Sequence, residues 1–356
     1  KAMGYSDDAL SKPIIGITNT YSAYNACHGT VPQLIEAIKR GVMLAGGLPM
    51  EFPVISLHES FSHPTSMFLR NLMSMDTEEL IRAQPMDAVV LVGGCDKTVP
   101  ALLMGAASAG VPSIMCVTGP MLTGSHRGER LGACTDCRRM WAMHRAGELD
   151  EQEIEEVGSK LVPSAGSCGV MGTASTMALM TETLGMMLPG GAAIPAVLGD
   201  RYRHAELTGA RAVEIAEEDL VPETIMTAQS IANSLRVLHA IGGSTNGLIH
   251  MTAIAGRLGI KVDLQAFDKL GADTPVLVNL KPSGEHYMED LHKAGGLGPI
   301  LRELRPLLHL NVPTISGRTL GEEIDALPAP WQQDVVTPID EKTMVVEWRG
   351  LGRKGD

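Results

Sequence analysis

Apolar runs too short to be helices alternate with amphipathic stretches from residue 13 to residue 118, and this alternation is the strongest constraint on the fold. Pro13 to Thr18 reads as a strand, and Val31 to Ala45 as a helix with apolar residues three and four apart. Pro49 to Ser56 is a second strand, Ser66 to Gln84 a helix, and Ala88 to Val92 a third strand. Ala101 to Ala109 reads as a helix and Ser113 to Thr118 as a fourth strand. Strands separated by helices pair in parallel, so the pattern predicts an α/β fold: a mostly parallel sheet with helices on both faces.

Farther along, Glu148 to Leu161 is a charged helix with a solvated face, and Gly166 to Met187 a buried helix that starts from a small-residue turn. Residues 205–300 continue as helices with short strands such as Pro275 to Leu280. From Pro328 the texture changes to PAPWQQDVVTP, and Thr343 to Trp348 alternates like a strand. Residues 1–327 are therefore expected to form one domain and 328–356 the beginning of another. The chain starts at Lys1, so an upstream segment is expected to precede it.

Composition excludes several functions. A formal charge of −12 with no basic stripe argues against nucleic acid as the main partner. Aromatics are only 3% of the chain while methionine reaches 21 residues, so a core of aliphatics and Met is expected and stacking platforms are not. No apolar run reaches the roughly 20 residues of a membrane span and no secretory signal opens the chain, which reads as cytoplasmic. The glycine-rich turns match neither a Walker loop nor GxGxxG, so a nucleotide site is not supported.

The chemistry concentrates in VVLVGGCDKTVP, where Cys95, Asp96 and Lys97 follow a strand and a Gly-Gly break. Ligands of open α/β sheets bind at the carboxyl ends of strands. Thiolates favour iron–sulfur clusters, zinc or copper(I), and carboxylates favour magnesium, calcium or manganese. The triplet therefore faces two kinds of metal. Cys27 in NACHGT and Cys168 in AGSCGVMGTAST share its context of small residues after an apolar run, although each also reads as a small buried hydrophobe. Glu59 follows the second strand and reads either as a magnesium ligand beside Asp96 or as a solvated loop residue. Lys97 reads as an ion-pair partner or as a carbamylated oxygen ligand.

Cys134 and Cys137 form a CxxC without the second pair that a structural zinc needs, and read as bystanders. Gly242 to Asn246 reads as a polar pocket lining or a helix-capping turn. His28, His58, His63 and His126 are scattered, with no serine partner in a nucleophile elbow.

Taken together, ACHGTVPQL, AGGLPMEFPV, VGGCDKTVPALLMGAAS, GPMLTG, GSCGVMGTASTMA, AIGGSTNGLIH and VNLKPSGEHYMEDLHKAGG resemble the dihydroxy-acid and sugar-acid dehydratases from about Pro13 to Ser316. The resemblance implies that Cys27, Cys95 and Cys168 hold an iron–sulfur cluster, 2Fe–2S with 4Fe–4S as the alternative. It implies that Glu59, Asp96 and a carbamylated Lys97 hold Mg2+. Lys97 and Thr135 fall on positions at the active site of such enzymes. A homodimer or homotetramer acting as a hydro-lyase on a small sugar acid follows, with no nucleic acid or membrane partner. SLHESFSHPTSMFLRNL favours the aldonate branch; 2,3-dihydroxy-isovalerate is the alternative substrate, and an inactive fragment acting as a binding module is the alternative of another class. The family's second domain is a β-barrel that supplies a serine base, and IDEKTMVVEWRGLGRKGD resembles a fragment of it.

Overall fold

A computed structural model describes residues 1–133 and 135–339. After one helical turn, α1 (Asp7–Leu10), the expected alternation follows: β1 (Ile14–Asn19), α2 (Val31–Leu44), β2 (Leu48–Pro53), α3 (Arg70–Ala83), β3 (Ala88–Gly93), α4 (Thr98–Ala109) and β4 (Ser113–Val117). β2 stops at Pro53 rather than Ser56 because its register partner on β1, Asn19, is where β1 ends. The helix expected from Ser66 opens as a 3-10 turn at Ser66–Leu69 before α3 begins. α4 starts at Thr98, ahead of the expected Ala101, and holds Pro100 in its first turn, where a missing N–H is cheap.

All strand pairs in the main sheet are parallel, in the order β2-β1-β3-β4. The chain steps from β1 to β2, returns across β1 to β3, and goes on to β4. The direction of winding thus reverses between β1 and β3. With right-handed crossovers, α2 lies on one face and α3 and α4 on the other. Accordingly α2 packs on α8 (Gly199–Glu217), and α3 packs on α4. β3 is covered on both sides: Ala88, Val89, Val90, Leu91 and Val92 are fully buried, the burial pattern behind the unbroken apolar run.

Beyond β4 the chain builds elements that the periodicity did not reveal. β5 (Gly124–His126) and β6 (Glu129–Leu131) form an antiparallel hairpin. Its turn residues Arg127 and Gly128 both have positive φ, 48° and 86°, as a two-residue hairpin turn requires. With α5 (Asp136–Arg145) and α6 (Glu151–Leu161) the hairpin encloses a small separate core of Leu131, Met140, Ile154, Val157 and Leu161, against which Cys137 packs.

The buried α7 (Thr173–Thr183) runs through the main core and touches α10 (Ala228–Ala240) and α11 (Asn246–Arg257), which follow the short α9 (Pro222–Ile225). Met177, Met180, Met186 and Met187 fill this interior, as the composition leads one to expect. α12 (Leu264–Ala272), α13 (Met288–Lys293), α14 (Gly298–Leu304) and α15 (Leu320–Asp325) complete the described helices.

One expectation needs correction. Pro275 to Leu280 is not a sheet strand; it makes only isolated bridges, Val278 to Val336 and Leu280 to His286. Past the division expected at 327/328, Val335 and Val336 are buried in the main core, and residues 335 and 337 hydrogen-bond to Asn279 and Leu277. No barrel strand is present among the described residues from 328 onward, and the expected strand Thr343 to Trp348 lies outside them.

Candidate metal and substrate site

The reversal of winding falls between β1 and β3, and the carboxyl ends of the strands at such a reversal are the place where open sheets take their ligands. Cys27 sits in a 3-10 turn (Ala26–His28) after β1, and Cys95 follows β3 directly. Glu59 opens a second 3-10 turn (Glu59–Phe61) after β2. Cys168 comes from farther along the chain. Its segment pairs with the exit of β4 through a parallel bridge between Pro120 and Ser167, and Gly166 N–H donates to Ala26 O at 2.9 Å. Long-range bonds thus bring a fourth loop to the edge set by the strands.

Close backbone approach makes this possible. At Gly94 a Cβ would lie 1.6 Å from Thr118 Oγ1, and Thr118 uses that hydroxyl to donate to Cys27 O at 2.7 Å. At Gly166, φ is +131° and a Cβ would lie 2.5 Å from Met121 N. Glycine is required at both positions.

Cys27 and Cys95 are buried and Cys168 is half-buried. The facing Cys95 sulfur, burial, and the charges of Cys168 and Asp96 push the Cys27 thiol well above its ordinary value. Cys27 therefore has both other sulfurs close enough to perturb it. Cys95 Sγ also lies 3.6 Å from Asp96 Oδ1, the point where thiol and carboxylate chemistry meet. Cys116 is different: it lies inside β4, fully buried, and burial raises its thiol to about 11. Cys137 belongs to the small core, and Cys134 lies outside the described residues.

Lys97 is buried, with Nζ 2.8 Å from Asp96 Oδ2 and 3.0 Å from Glu59 Oε2. Burial alone would pull its pKa down, but the bonds and charges of Asp96 and Glu59 outweigh that and raise it. Burial pushes Glu59 up as well. Ser66, Thr65 and Lys97 outweigh it and hold Glu59 at about 2. Thr65 Oγ1 donates to Glu59 at 2.7 Å and Ser66 N–H at 3.0 Å, with a further bond from the Ser66 hydroxyl. Glu59 is thus a fixed anion, and Lys97 an ammonium clamped between two carboxylates.

Thr135 stands at the start of α5 and spends no bond capping it. The helix start is held by Asp136, which accepts from Gly132 N–H at 2.8 Å, Tyr287 OH at 2.8 Å and Lys281 Nζ at 3.0 Å. Lys281 in turn accepts Met171 N–H at its carbonyl, tying this cluster to the Cys168 loop. The Gly242 to Asn246 loop docks on the start of α7: Ser244 and Thr173 hydroxyls are 2.8 Å apart, and Ser244 N–H donates to Thr176 Oγ1 at 3.0 Å. It gives α11 no side-chain cap.

Sequence reasoning passed over three groups here. His28, read as one of several scattered histidines, is fully buried and accepts Cys95 N–H at Nε2, 3.2 Å. Its adjacency to Cys27 was the available signal. Thr65 and Ser66 orient Glu59, and Arg70 donates to the buried His250 at 2.8 Å on the side facing Lys97. The last contact joins residues far apart in the chain and left no local trace.

Among the described residues, no three His, Cys, Asp or Glu side chains converge on the point that a single ion would occupy. A two-iron cluster spreads its ligands over a wider shell than one ion does, and a Cys27 thiol that both Cys95 and Cys168 perturb suits it. The carboxylate pair leaves one negative charge beyond the single ammonium, a donor set of hard oxygens that suits magnesium. The residues present fit both groups.

Residues 12–323 match the family model described as dihydroxy-acid/6-phosphogluconate dehydratase N-terminal. The chain is 47% identical over 344 residues to an L-arabinonate dehydratase of Rhizobium leguminosarum bv. trifolii, covering 96% of this chain and 59% of the relative. It is 41% identical to a 6-deoxy-6-sulfo-D-gluconate dehydratase of Pseudomonas putida, over 96% of this chain and 59% of the relative. A dihydroxy-acid dehydratase of Caldicellulosiruptor bescii is 37% identical, over 96% of this chain and 62% of the relative. The chain thus spans about three fifths of the length of these curated relatives. Parallel sheet, loop placement and family match agree: the chain belongs to the dihydroxy-acid/6-phosphogluconate dehydratase family, and the match falls on the family's N-terminal region.

Proposed function

We propose that this chain acts as a hydro-lyase that dehydrates a 2,3-dihydroxy sugar acid to a 2-keto-3-deoxy acid. Cys27, Cys95 and Cys168 would hold an iron–sulfur cluster of the 2Fe–2S type, and Glu59, Asp96 and Lys97 would hold Mg2+. The carrying observation is the contact between Cys95 Sγ and Asp96 Oδ1, with Cys27 on one side and the Lys97–Glu59 pair on the other. When bound, the two centres supply Lewis acidity toward the C3 hydroxyl and toward the carboxylate and C2 oxygen.

The chain's own groups then have distinct tasks. Glu59, held anionic by Thr65, Ser66 and Lys97, keeps its oxygens fixed in direction. Lys97 balances Asp96 and Glu59 while it is an ammonium; as a carbamate, formed when the deprotonated amine adds CO2 and releases a further proton, it would add a third oxygen ligand. Thr135 offers an uncommitted hydroxyl at the start of α5. Ser244, Thr173 and Asn246 supply polar groups suited to sugar hydroxyls. The C2 proton and the C3 hydroxyl leave together as water, and the enol becomes a ketone. No electrons are transferred in the net reaction.

An aldonate is the favoured substrate, because the arabinonate and sulfogluconate enzymes resemble this chain at 47% and 41% identity. The 37% identity to a dihydroxy-acid dehydratase keeps 2,3-dihydroxy-isovalerate as the alternative. A homodimer or homotetramer in the cytoplasm completes the proposal; no helix among the described residues is long and apolar enough to cross a membrane. The test is anaerobic reconstitution with iron, sulfide and Mg2+, followed by a panel of aldonates read out as 2-keto acid. Stoichiometric iron and sulfide with turnover of an aldonate supports the reading. A colourless protein that retains neither overturns it.

A further inference from the structure

We propose that His28 is a positioning residue that locks the iron-binding and magnesium-binding halves of the site into one register, through a fixed ring tautomer. This rests on the site assignment above for what the two halves hold, but its geometry stands on its own. Cys95 N–H can only donate, and it points at His28 Nε2 at 3.2 Å, so Nε2 is bare and the ring proton sits on Nδ1. Nδ1 lies 2.8 Å from Ser56 Oγ and 3.1 Å from Asn25 Nδ2; the amide nitrogen can only donate, and it has Leu57 O and Ser56 Oγ as acceptors, so the Ser56 oxygen is the group that takes the ring proton's bond.

Each end of the ring therefore serves a different loop. Nε2 holds the backbone of Cys95 after β3. Nδ1 holds Ser56, three residues before Glu59, after β2. The ring itself stands beside Cys27 after β1. Asn25 reinforces the same junction: its Oδ1 accepts Cys27 N–H at 3.1 Å, and its Nδ2 donates to Leu57 O at 3.1 Å. The ring is fully buried, so no water competes for either nitrogen.

The bond to Nε2 has a second consequence. Amide groups that bond to cluster sulfurs tune the reduction potential. With Nε2 accepting it, the Cys95 amide is turned toward the histidine. A residue that only filled the space would leave that amide free.

The two nitrogens can be separated. Glutamine places an acceptor near the Nε2 position and asparagine places a polar group near Nδ1. His28→Gln is expected to keep iron and sulfide at the unsubstituted level while Mg2+ affinity falls roughly tenfold, the lower end of what loss of a ligand-orienting bond costs. His28→Asn is expected to do the reverse: iron retention falls several-fold, the reduction midpoint of the remaining cluster rises, and Mg2+ affinity holds. Identical iron content, midpoint and Mg2+ affinity in both variants and the unsubstituted chain would overturn the proposal.

Nitrogen-15 spectra of the metal-free, unsubstituted chain decide the tautomer without any variant. A protonated Nδ1, with scalar coupling between Nε2 and the Cys95 amide, is expected; a proton on Nε2 overturns the proposal. If the unsubstituted chain takes up no iron and sulfide, the metal assignment fails, and the nitrogen-15 result still decides the role of His28.

Discussion

Lys97 Nζ lies 3.0 Å from Glu59 Oε2, an ion pair that joins the loop after β3 to the loop after β2 across the width of β1. Asp96 shares the same ammonium at 2.8 Å. Replacing Lys97 by Met leaves two carboxylates facing each other without a cation. The expected loss is about 2 kcal/mol in urea unfolding of the metal-free chain, below the figure for a fully buried pair because Glu59 is partly exposed. Lys97→Arg is expected to keep most of that stability but to lose turnover by roughly 100-fold, as it can neither carry a carbamate nor reproduce the lysine's point geometry.

The thiols separate by location. Cys27→Ser, Cys95→Ser and Cys168→Ser should each abolish cluster retention, read as iron and sulfide per chain after anaerobic reconstitution. Cys116→Ala and Cys137→Ser should retain it, since one lies inside β4 and the other packs on the small core. Cluster loss in Cys137→Ser would show that the ligand set has been misassigned.

Gly94→Ala should be among the most disruptive small substitutions in the chain. Its Cβ would fall 1.6 Å from Thr118 Oγ1, so Thr118 must move and release Cys27 O. A loss of about 3 kcal/mol is expected, at the upper end of overpacking costs, together with weaker iron retention. Adding Thr118→Ala should recover part of the stability but not the iron, because the bond to the Cys27 loop stays broken. Thermal unfolding and iron assay distinguish the two effects.

Stability should depend on pH through Glu182, a buried carboxyl in α7 that accepts Gly190 and Ala192 N–H groups at 2.7 Å each. Burial outweighs those bonds and raises its pKa from 4.5 to about 7. Folding therefore favours the protonated form. The stability this gives is full below about pH 4.5 and is lost as pH rises to about 7, an effect of about 3 kcal/mol. His204 acts with the opposite sign: burial lowers it from 6.5 to about 4, so its share is present above pH 6.5 and lost as pH falls. Comparison with Glu182→Gln isolates the carboxyl. The difference in urea midpoint between the two chains should change steadily from pH 4.5 to 7, and a constant difference would count against it.

Much of the fold was legible because each of the first strands and helices carries its own period. The all-apolar run at Ala88 to Val92 announced a strand covered on both faces, and the 3.6-residue spacing after Val31 announced α2. The hairpin at Gly124 to Leu131 was not legible, since three-residue strands are too short to show alternation and only the turn at Arg127 and Gly128 marks it. Pro275 to Leu280 misled for the converse reason: its composition suits a strand, but its bridges to Val336 and His286 stay isolated and build no ladder among the described residues. At the site, Cys95, Asp96 and Lys97 were visible as neighbours in sequence. Their relation to Cys27, Glu59 and Cys168 was suggested by resemblance, and no local spacing contained it.

The sequence by itself determined which segments become strands and which side chains stand at their ends, because periodicity and glycine breaks are local properties. It placed a thiol after β1, a thiol and carboxylate after β3, and a carboxylate after β2. Only the tertiary structure decided that these ends are neighbours. The order β2-β1-β3-β4 comes from pairings between residues far apart in the chain, and the reversal of winding falls between β1 and β3, whose ends carry Cys27 and Cys95. The tautomer of His28 was decided there too, since it depends on which amide and which hydroxyl the folded chain brings to its two nitrogens.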